Sequence, residues 1–198
     1  MEALIIFIKN PLEGKVKTRL AVGIGDKNAL VIYKYLLDHT QKISSDISAK
    51  KYLFYDEIID FKDNWPETIY EKHVQSGSDL GLRMQNAFNL AFQNGHKQVV
   101  IIGSDCIDLD AATITEAFKK LHTRDFVIGP ALDGGYYLLG MKSPEHILFE
   151  NKIWSSSTVA AQTLEDINRL QKTCYILPSL SDIDTIDDLN EELKNLIR

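Results

Sequence analysis

The chain has 198 residues, 44% hydrophobic and 25% charged, with 11 Gly and 5 Pro, the composition of an ordinary globular protein and not of a disordered or fibrous one. Its length suits one domain, 1–198, with interior enough for a single mixed core. A formal charge of -6 argues against a nucleic-acid partner, whose binding relies on many Lys and Arg neutralising phosphates, and leaves a small anionic ligand open.

Ala3 to Ile8 is a continuous apolar run with β-branched residues, stopped by Asn10-Pro11, the pattern of a strand buried on both faces. It is too short for a membrane span or a signal-peptide core, so a cytoplasmic protein without a membrane span is expected. A loop follows to Leu20, and Asp26 is placed to cap a helix in which Leu30, Tyr33, Leu36 and Leu37 keep helical spacing to near Ile43. Lys51–Tyr55 and Ile69–Val74 read as short strands. Ser78 or Asp79 caps a helix that stops at Asn94-Gly95, and Gln98–Ile102 is a strongly apolar strand.

Asp110 or Thr113 begins the next helix, which ends near His122. Phe126–Ile128 and Tyr136–Met141 are strands separated by the turn residues Asp133-Gly134-Gly135. Ser157–Leu170 is helical with Ser157 as a candidate cap, Cys174–Leu177 is strand-like, and Thr185–Ile197 is a closing helix with acidic opening turns. Strands alternating with helices predict an α/β fold with a mostly parallel sheet covered on both faces. In such folds ligands bind outside the carboxyl ends of the strands. Cys106 and Cys174 lie far apart without metal-ligand spacing and read as reduced thiols, and the five histidines are scattered.

The strand-end rule selects which loops to examine. The segment Lys9 to Leu20 (KNPLEGKVKTRL) concentrates cationic and hydroxyl groups in an acidic protein, with phosphate as the natural partner. Gly14 permits close backbone approach to an anion, and Lys17 and Arg19 add charge-assisted hydrogen bonds. The P-loop pattern is absent, and a solvated basic loop is the plain alternative. Gly103-Ser104-Asp105-Cys106-Ile107-Asp108 follows the most apolar strand. Asp105 is the best metal candidate there, because Mg2+ or Mn2+ takes hard oxygen ligands and needs only one or two protein carboxylates when substrate phosphates complete the shell. Asp108 reads better as a turn or cap.

Asp133-Gly134-Gly135-Tyr136 joins a polar tip to an apolar strand, and a hairpin turn accounts for part of that pattern. Ser181-Asp182-Ile183-Asp184-Thr185 offers further carboxylates, of which Asp184 could complete a metal shell or merely cap a helix. Trp154 and Ser155 present an aromatic face and a hydroxyl before a helix. In Gln75-Ser76-Gly77-Ser78-Asp79-Leu80-Gly81 a glycine-bearing turn precedes a helix, where a base or sugar edge could meet backbone amides.

Taken in order, Gly14-Lys15-Val16-Lys17-Thr18-Arg19-Leu20, Asp79-Leu80-Gly81-Leu82-Arg83-Met84, Gly103-Ser104-Asp105-Cys106, Asp133-Gly134-Gly135-Tyr136-Tyr137-Leu138-Leu139-Gly140 and Asp182-Ile183-Asp184-Thr185 span nearly the whole chain. Together they resemble a family of small bacterial glycosyltransferase-like proteins (DUF2064-type) in the nucleotide-diphospho-sugar transferase superfamily. The family is related to phospholactate and molybdenum-cofactor guanylyltransferases. The sequence departs from the family pattern at Ile107, where proline is usual, and at Trp154-Ser155-Ser156-Ser157-Thr158, usually a tighter Trp-Ser-Thr.

The resemblance implies a Rossmann-like three-layer α/β/α sandwich of the GT-A type. It implies nucleotide contacts from Lys9, Gly14, Lys17, Arg19, Gln75, Asp79, Gly81 and Ser104, and a Mg2+ or Mn2+ ion on Asp105 and Asp184. The acceptor side would comprise Gly134, Gly135, Tyr136, Trp154 and Ser155. The expected reaction moves a glycosyl group from a nucleotide sugar to a small-molecule acceptor, with Asp133 as base or orienting group and Lys17 and Arg19 stabilising charge. The rivals are nucleotidyl transfer from a nucleoside triphosphate to a phosphorylated acceptor, and a catalytically silent nucleotide-binding module.

Overall fold

Strand β1 (Glu2–Ile8) sends Leu4, Ile6 and Ile8 to one side and Ala3 and Ile5 to the other, and the two sets join different buried clusters. This is the two-residue period of a strand buried on both faces. In the computed structural model, which describes residues 1–198, the first side is covered by α2 (Asp26–Ser45) and α4 (Ala111–Leu121), through Tyr33, Leu37, Ile114, Phe118 and Leu121. The second side is covered by α3 (Leu80–Gln93), α5 (Val159–Arg169) and a 3-10 turn at His146–Phe149, through Met84, Phe88, Phe149 and Ile167. The result is a three-layer α/β/α sandwich.

The central sheet adds β2 (Lys50–Tyr55), β3 (Tyr70–Val74), β4 (Gln98–Ile102), β5 (Phe126–Pro130), β6 (Tyr136–Met141) and β7 (Cys174–Ile176), in the order β3-β2-β1-β4-β6-β5-β7. Only β6 runs against its neighbours, pairing antiparallel with both β4 and β5, so every other strand ends on the same edge of the sheet. No helix is long and apolar enough to cross a membrane.

The sequence-based strands all form, and Asp79 and Asp110 cap α3 and α4 by accepting from the Leu82 and Thr113 amides at 3.0 and 2.7 Å. Asp26, expected to cap α2, is instead its first residue: Gly25 holds the cap position and no side chain makes a capping bond there. Three further expectations change. The stretch taken as loop up to Leu20 closes into a short helix, α1 (Thr18–Ile24), which Gly25 at φ +82° separates from α2. Ser157 does not cap α5: the cap position is Thr158, and its side chain makes no capping bond.

The third change is at the C-terminus, where the closing helix is split into a 3-10 turn at Ile186–Asp188 and α6 (Glu191–Asn195). The Asp188 carboxylate turns back to accept from the Thr185 and Asp184 amides, Leu189 is extended, and the Asn190 side chain starts a new helix by accepting from Leu193. Local side-chain bonds thus outcompete helix continuation.

A third buried cluster matters most for the site. Leu20 of α1, Ile32 and Leu36 of α2, and Ile183, Leu189 and Leu193 of the C-terminal segment pack together. Gly23 assists, because a Cβ there would come within 3.2 Å of Ile186. Burial of these side chains, at about 25 cal/mol per Å2 of apolar surface, brings the C-terminal segment back under the loop that follows β1.

Candidate functional site

The loop after β1 is fixed at its start by polar bonds from the segment that follows β2 and from α2. Asn10 is buried; its side-chain oxygen accepts from the Glu57 and Ile58 amides at 3.2 and 3.1 Å and its amide donates to the Ile58 carbonyl at 2.9 Å. The buried Tyr33 hydroxyl accepts from the Lys9 amide at 2.7 Å, donates to the Lys9 carbonyl at 3.1 Å and lies 3.4 Å from the Ser104 hydroxyl. Burial, reinforced by the Asp105 charge, pushes the Tyr33 phenol well above its ordinary range, so it stays a neutral bridge between the ends of β1 and β4. Beyond it, Val16 is buried as an apolar anchor.

Lys17 follows in the left-handed region at φ 48°, uncommon for a residue with a Cβ. That turn carries its side chain inward. Nζ lies 2.7 Å from the Asp105 carboxylate, and the lysine side chain is 5% exposed while the aspartate is 50% exposed. The Asp105 carbonyl accepts from the Ile183 amide at 2.9 Å, and Ile183 is buried among α1 and α2, so the flanking Asp182 and Asp184 are held beside the β4 tip. Arg19 then meets Asp184 at 2.7 Å in a more exposed pair. The residues expected to hold phosphate and those expected to hold metal are therefore in direct contact, cation to carboxylate.

Asp182, one of the carboxylates of the Ser181–Thr185 segment, stands apart from the expected metal ligands. Partial burial, with the charges of Asp105 and Asp133 added, raises its carboxyl to about 7, so it sits where negative charge is already crowded. The signal available in sequence was the alternation Asp-Ile-Asp, in which a buried Ile183 puts both neighbours on the opposite side. Tyr33 was read only as a helix core residue, since its polar role depends on long-range contacts. Cys106 is buried with its thiol pushed up to about 12, mainly by that burial, which fits an inert packing residue.

On the other side of the strand ends, Asp133, Gly134 and Gly135 form the turn of the β5–β6 hairpin. Asp133 is exposed, and one of its oxygens accepts from the Gly135 amide at 2.8 Å. Gly134, at φ +92°, accepts from the Ala160 amide through its carbonyl at 2.9 Å, and any Cβ there would run into the Ser157 backbone. Trp154 lies against Gly81 so closely that a Cβ on Gly81 would enter the indole, and the half-buried Tyr136 reaches Met84 of the same helix at 3.6 Å. Ser155 is left-handed at φ 61°. The acceptor-side residues and Gly81 thus form one interlocked group.

Other expected nucleotide contacts are placed differently. Lys9 is exposed at the loop's start and Gly14 is left-handed at φ +74°, both open to a ligand. Ser104 is buried behind Asp105. Gln75 spends its amide on the carbonyls of Ile8 and Phe54 at 3.0 and 3.2 Å, bracing the strand ends, and Asp79 is committed to capping α3. No three His, Cys, Asp or Glu side chains converge to hold a metal ion by themselves.

The seven-stranded, mostly parallel sheet and its covering helices form the α/β fold of the nucleotide-diphospho-sugar transferases and nucleotidyltransferases. Residues 39–156 match the family described as "uncharacterized protein conserved in bacteria (DUF2064)", and the chain belongs to that family. A solved structure from Desulfovibrio desulfuricans G20, titled a "putative nucleotide-diphospho-sugar transferase", is 30% identical over 93% of this chain and 82% of its own, with a TM-score of 0.86.

Two further solved structures share the fold at lower identity. The inositol-1-phosphate CTP transferase from T. maritima is 14% identical, covering 100% of this chain and 95% of its own, with a TM-score of 0.58. The 4-diphosphocytidyl-2C-methyl-D-erythritol synthase from Anaerococcus prevotii DSM 20548 is 12% identical, covering 100% and 98%, with a TM-score of 0.59. No curated protein matches the chain.

Proposed function

We propose that this chain is a metal-assisted transferase acting on a nucleotide-activated donor, moving a glycosyl group from a nucleotide sugar to a small-molecule acceptor. The observation that carries this is the interleaving of Lys17 with Asp105 and Arg19 with Asp184 at the sheet's ligand-binding edge. A metal diphosphate is the complementary object, since its cation takes carboxylate oxygens and its phosphates take ammonium and guanidinium donors. The donor set fits Mg2+ or Mn2+: it is all oxygen, carboxylates are crowded around Asp182, and Asp105 is half open to solvent. Because no protein-only cage exists, Asp105 and Asp184 would hold the ion together with substrate phosphates.

When bound, the ion would supply neutralisation of the departing diphosphate. The chain's own groups do the rest. Lys17, Arg19, Lys9 and the backbone at Gly14 bind and orient phosphates, and the exposed Asp133, with one oxygen free of the Gly135 amide, accepts or orients the acceptor's hydroxyl proton. The D. desulfuricans relative, described as a nucleotide-diphospho-sugar transferase, supports the glycosyl version.

Nucleotidyl transfer is the second reading, favoured by the presence of two cations on the phosphate side, which suits the extra charge of a triphosphate. Incubation with Mg2+ or Mn2+ and a panel of nucleoside triphosphates and nucleotide sugars, followed by thermal shift and product analysis, separates the two. Sugar release supports the first and pyrophosphate release the second. Failure of any nucleotide to stabilise the chain in the presence of metal would sink both.

A further inference from the structure

The leading metal ligand already has a cation of the chain itself on it. The Lys17 ammonium is 2.7 Å from Asp105, its side chain is almost sealed, and the left-handed backbone at Lys17 directs it there. Its charge also reaches Asp182 and Asp188. Solvent meets the pair from the carboxylate side, where Asp105 is half exposed. A divalent ion approaching that oxygen and the ammonium already on it repel each other, since like charges a few ångströms apart in a partly dry site are poorly screened.

We infer that Lys17 and the divalent cation are alternative occupants of Asp105, so that metal alone binds weakly, by displacing Lys17, and binds tightly when the donor's phosphates draw Lys17 away. This inference rests on the metal-and-phosphate reading of the site and adds an order to it. Metal alone and phosphates alone each bind against the Lys17–Asp105 pair, whereas together they exchange partners: ammonium to phosphate, carboxylate to metal. The Arg19–Asp184 pair, also at 2.7 Å, can exchange in the same way. Lys17 is thereby a positioning residue for the metal before it is a phosphate ligand. The charge crowding around Asp182 is balanced in the absence of metal by a cation belonging to the chain.

The test measures Mn2+ binding to the full chain without nucleotide, by the loss of the free-ion paramagnetic resonance signal, in the wild type, Lys17→Met, Lys17→Arg and Asp105→Asn. Removal of the competing ammonium should tighten Mn2+ binding at least about fivefold in Lys17→Met, in the range of ordinary coupling between sites. Lys17→Arg, which keeps the charge, should stay near the wild type, and Asp105→Asn should lose the site.

A second measurement uses the wild type, so that a misfolded variant cannot decide the matter. Amine-reactive labelling read by mass spectrometry should show Lys17 protected and then released as Mn2+ is added. Lys72 and Lys152, equally sealed on Asp63 and Asp166, should stay protected throughout. Asp105-dependent Mn2+ binding that is no tighter in Lys17→Met, with Lys17 labelling indifferent to Mn2+, overturns the inference and leaves the proposed function standing. Absence of Asp105-dependent Mn2+ binding in every form, even with nucleotide, overturns both.

Discussion

Two of the molecule's lysine–aspartate pairs, Lys152–Asp166 and Lys17–Asp105, lie in different regions and are separated by the environment of the carboxylate. At Lys152–Asp166, beneath the Trp154 loop, the side chains are 2% and 12% exposed; at Lys17–Asp105 they are 5% and 50% exposed. The first pair is closed on both members and ties the segment before α5 to the helix itself, where Asp166 also receives Arg169 at 3.4 Å. The second is open at the carboxylate. A sealed pair cannot trade partners without local unfolding, so it acts as an anchor, whereas an open one can pass its carboxylate to an incoming ion.

The same division runs through the surroundings of each pair. Around Lys152 the contacts are steric: Gly134 against Ser157 and Gly81 against Trp154, with no room for a methyl group. Around Lys17 they are ionic and solvent-facing: Arg19 with Asp184, and carboxylates crowded at Asp182. The acceptor side is therefore defined by shape, and the phosphate side by charge that can be rearranged.

The largest effect should come from breaking the closed pair. Asp166→Asn leaves the Lys152 ammonium sealed without a countercharge and should lower the urea-unfolding free energy by about 3 kcal/mol. A loss below about 1 kcal/mol, the value of a surface pair, would erase the distinction between closed and open. Next comes shape: Gly134→Ala puts a methyl into the Ser157 backbone at a φ that disfavours any Cβ, and should cost about 2 kcal/mol in the same assay. Retention of wild-type stability would show that the hairpin turn is free of α5.

Those two regions were unequally legible in the sequence. Strands such as Gln98–Ile102 and Tyr136–Met141 declared themselves by apolar runs between turn residues, and the caps Asp79 and Asp110 by helix-start chemistry. The candidate residues Lys17, Arg19, Asp105 and Asp184 stood out because each lies at a strand end. Their pairing did not, because it depends on Ile183 being buried against α1 and α2, far along the chain. Nor could spacing show that α1 would form, since it is a short helix made by burying Leu20 and stopped by Gly25. The side chains of Gln75 and Asp79 are engaged with backbone, which spacing could not show, because a polar residue at a strand end or helix start can serve structure and binding with the same atoms.

On the open side, Asp105→Asn should have the reverse profile to Asp166→Asn. An asparagine oxygen still accepts from Lys17 and the position is half exposed, so the stability change should stay within about 1 kcal/mol. Binding of Mn2+ with a nucleoside triphosphate or nucleotide sugar, read by calorimetry, should weaken about thirtyfold, the loss expected when one member of a hydrogen-bonded charge set is neutralised. Unchanged binding would remove Asp105 from the metal role, and a stability loss matching that of Asp166→Asn would place its pair among the anchors.

The smallest expected effect concerns carboxylates that fasten the fold chiefly through hydrogen bonds from backbone amides and hydroxyls. Asp110 is held below the usual carboxylate range by the Thr113 amide it caps, and Asp125 by the Thr173 hydroxyl and amide that tie the start of β7 to β5. A depressed folded value contributes stability that is fully present above the unfolded carboxylate value of about 4 and is lost as pH falls through the lower folded value. Urea-unfolding stability should therefore hold steady down to about pH 4 with respect to these groups and decline below it. Asp110→Asn keeps a capping oxygen but no titrating group, so its decline below that pH should be shallower than in the wild type. An identical slope in the two proteins would mean that the acid limb is set elsewhere and that hydrogen-bonded carboxylates contribute nothing measurable to the anchored class.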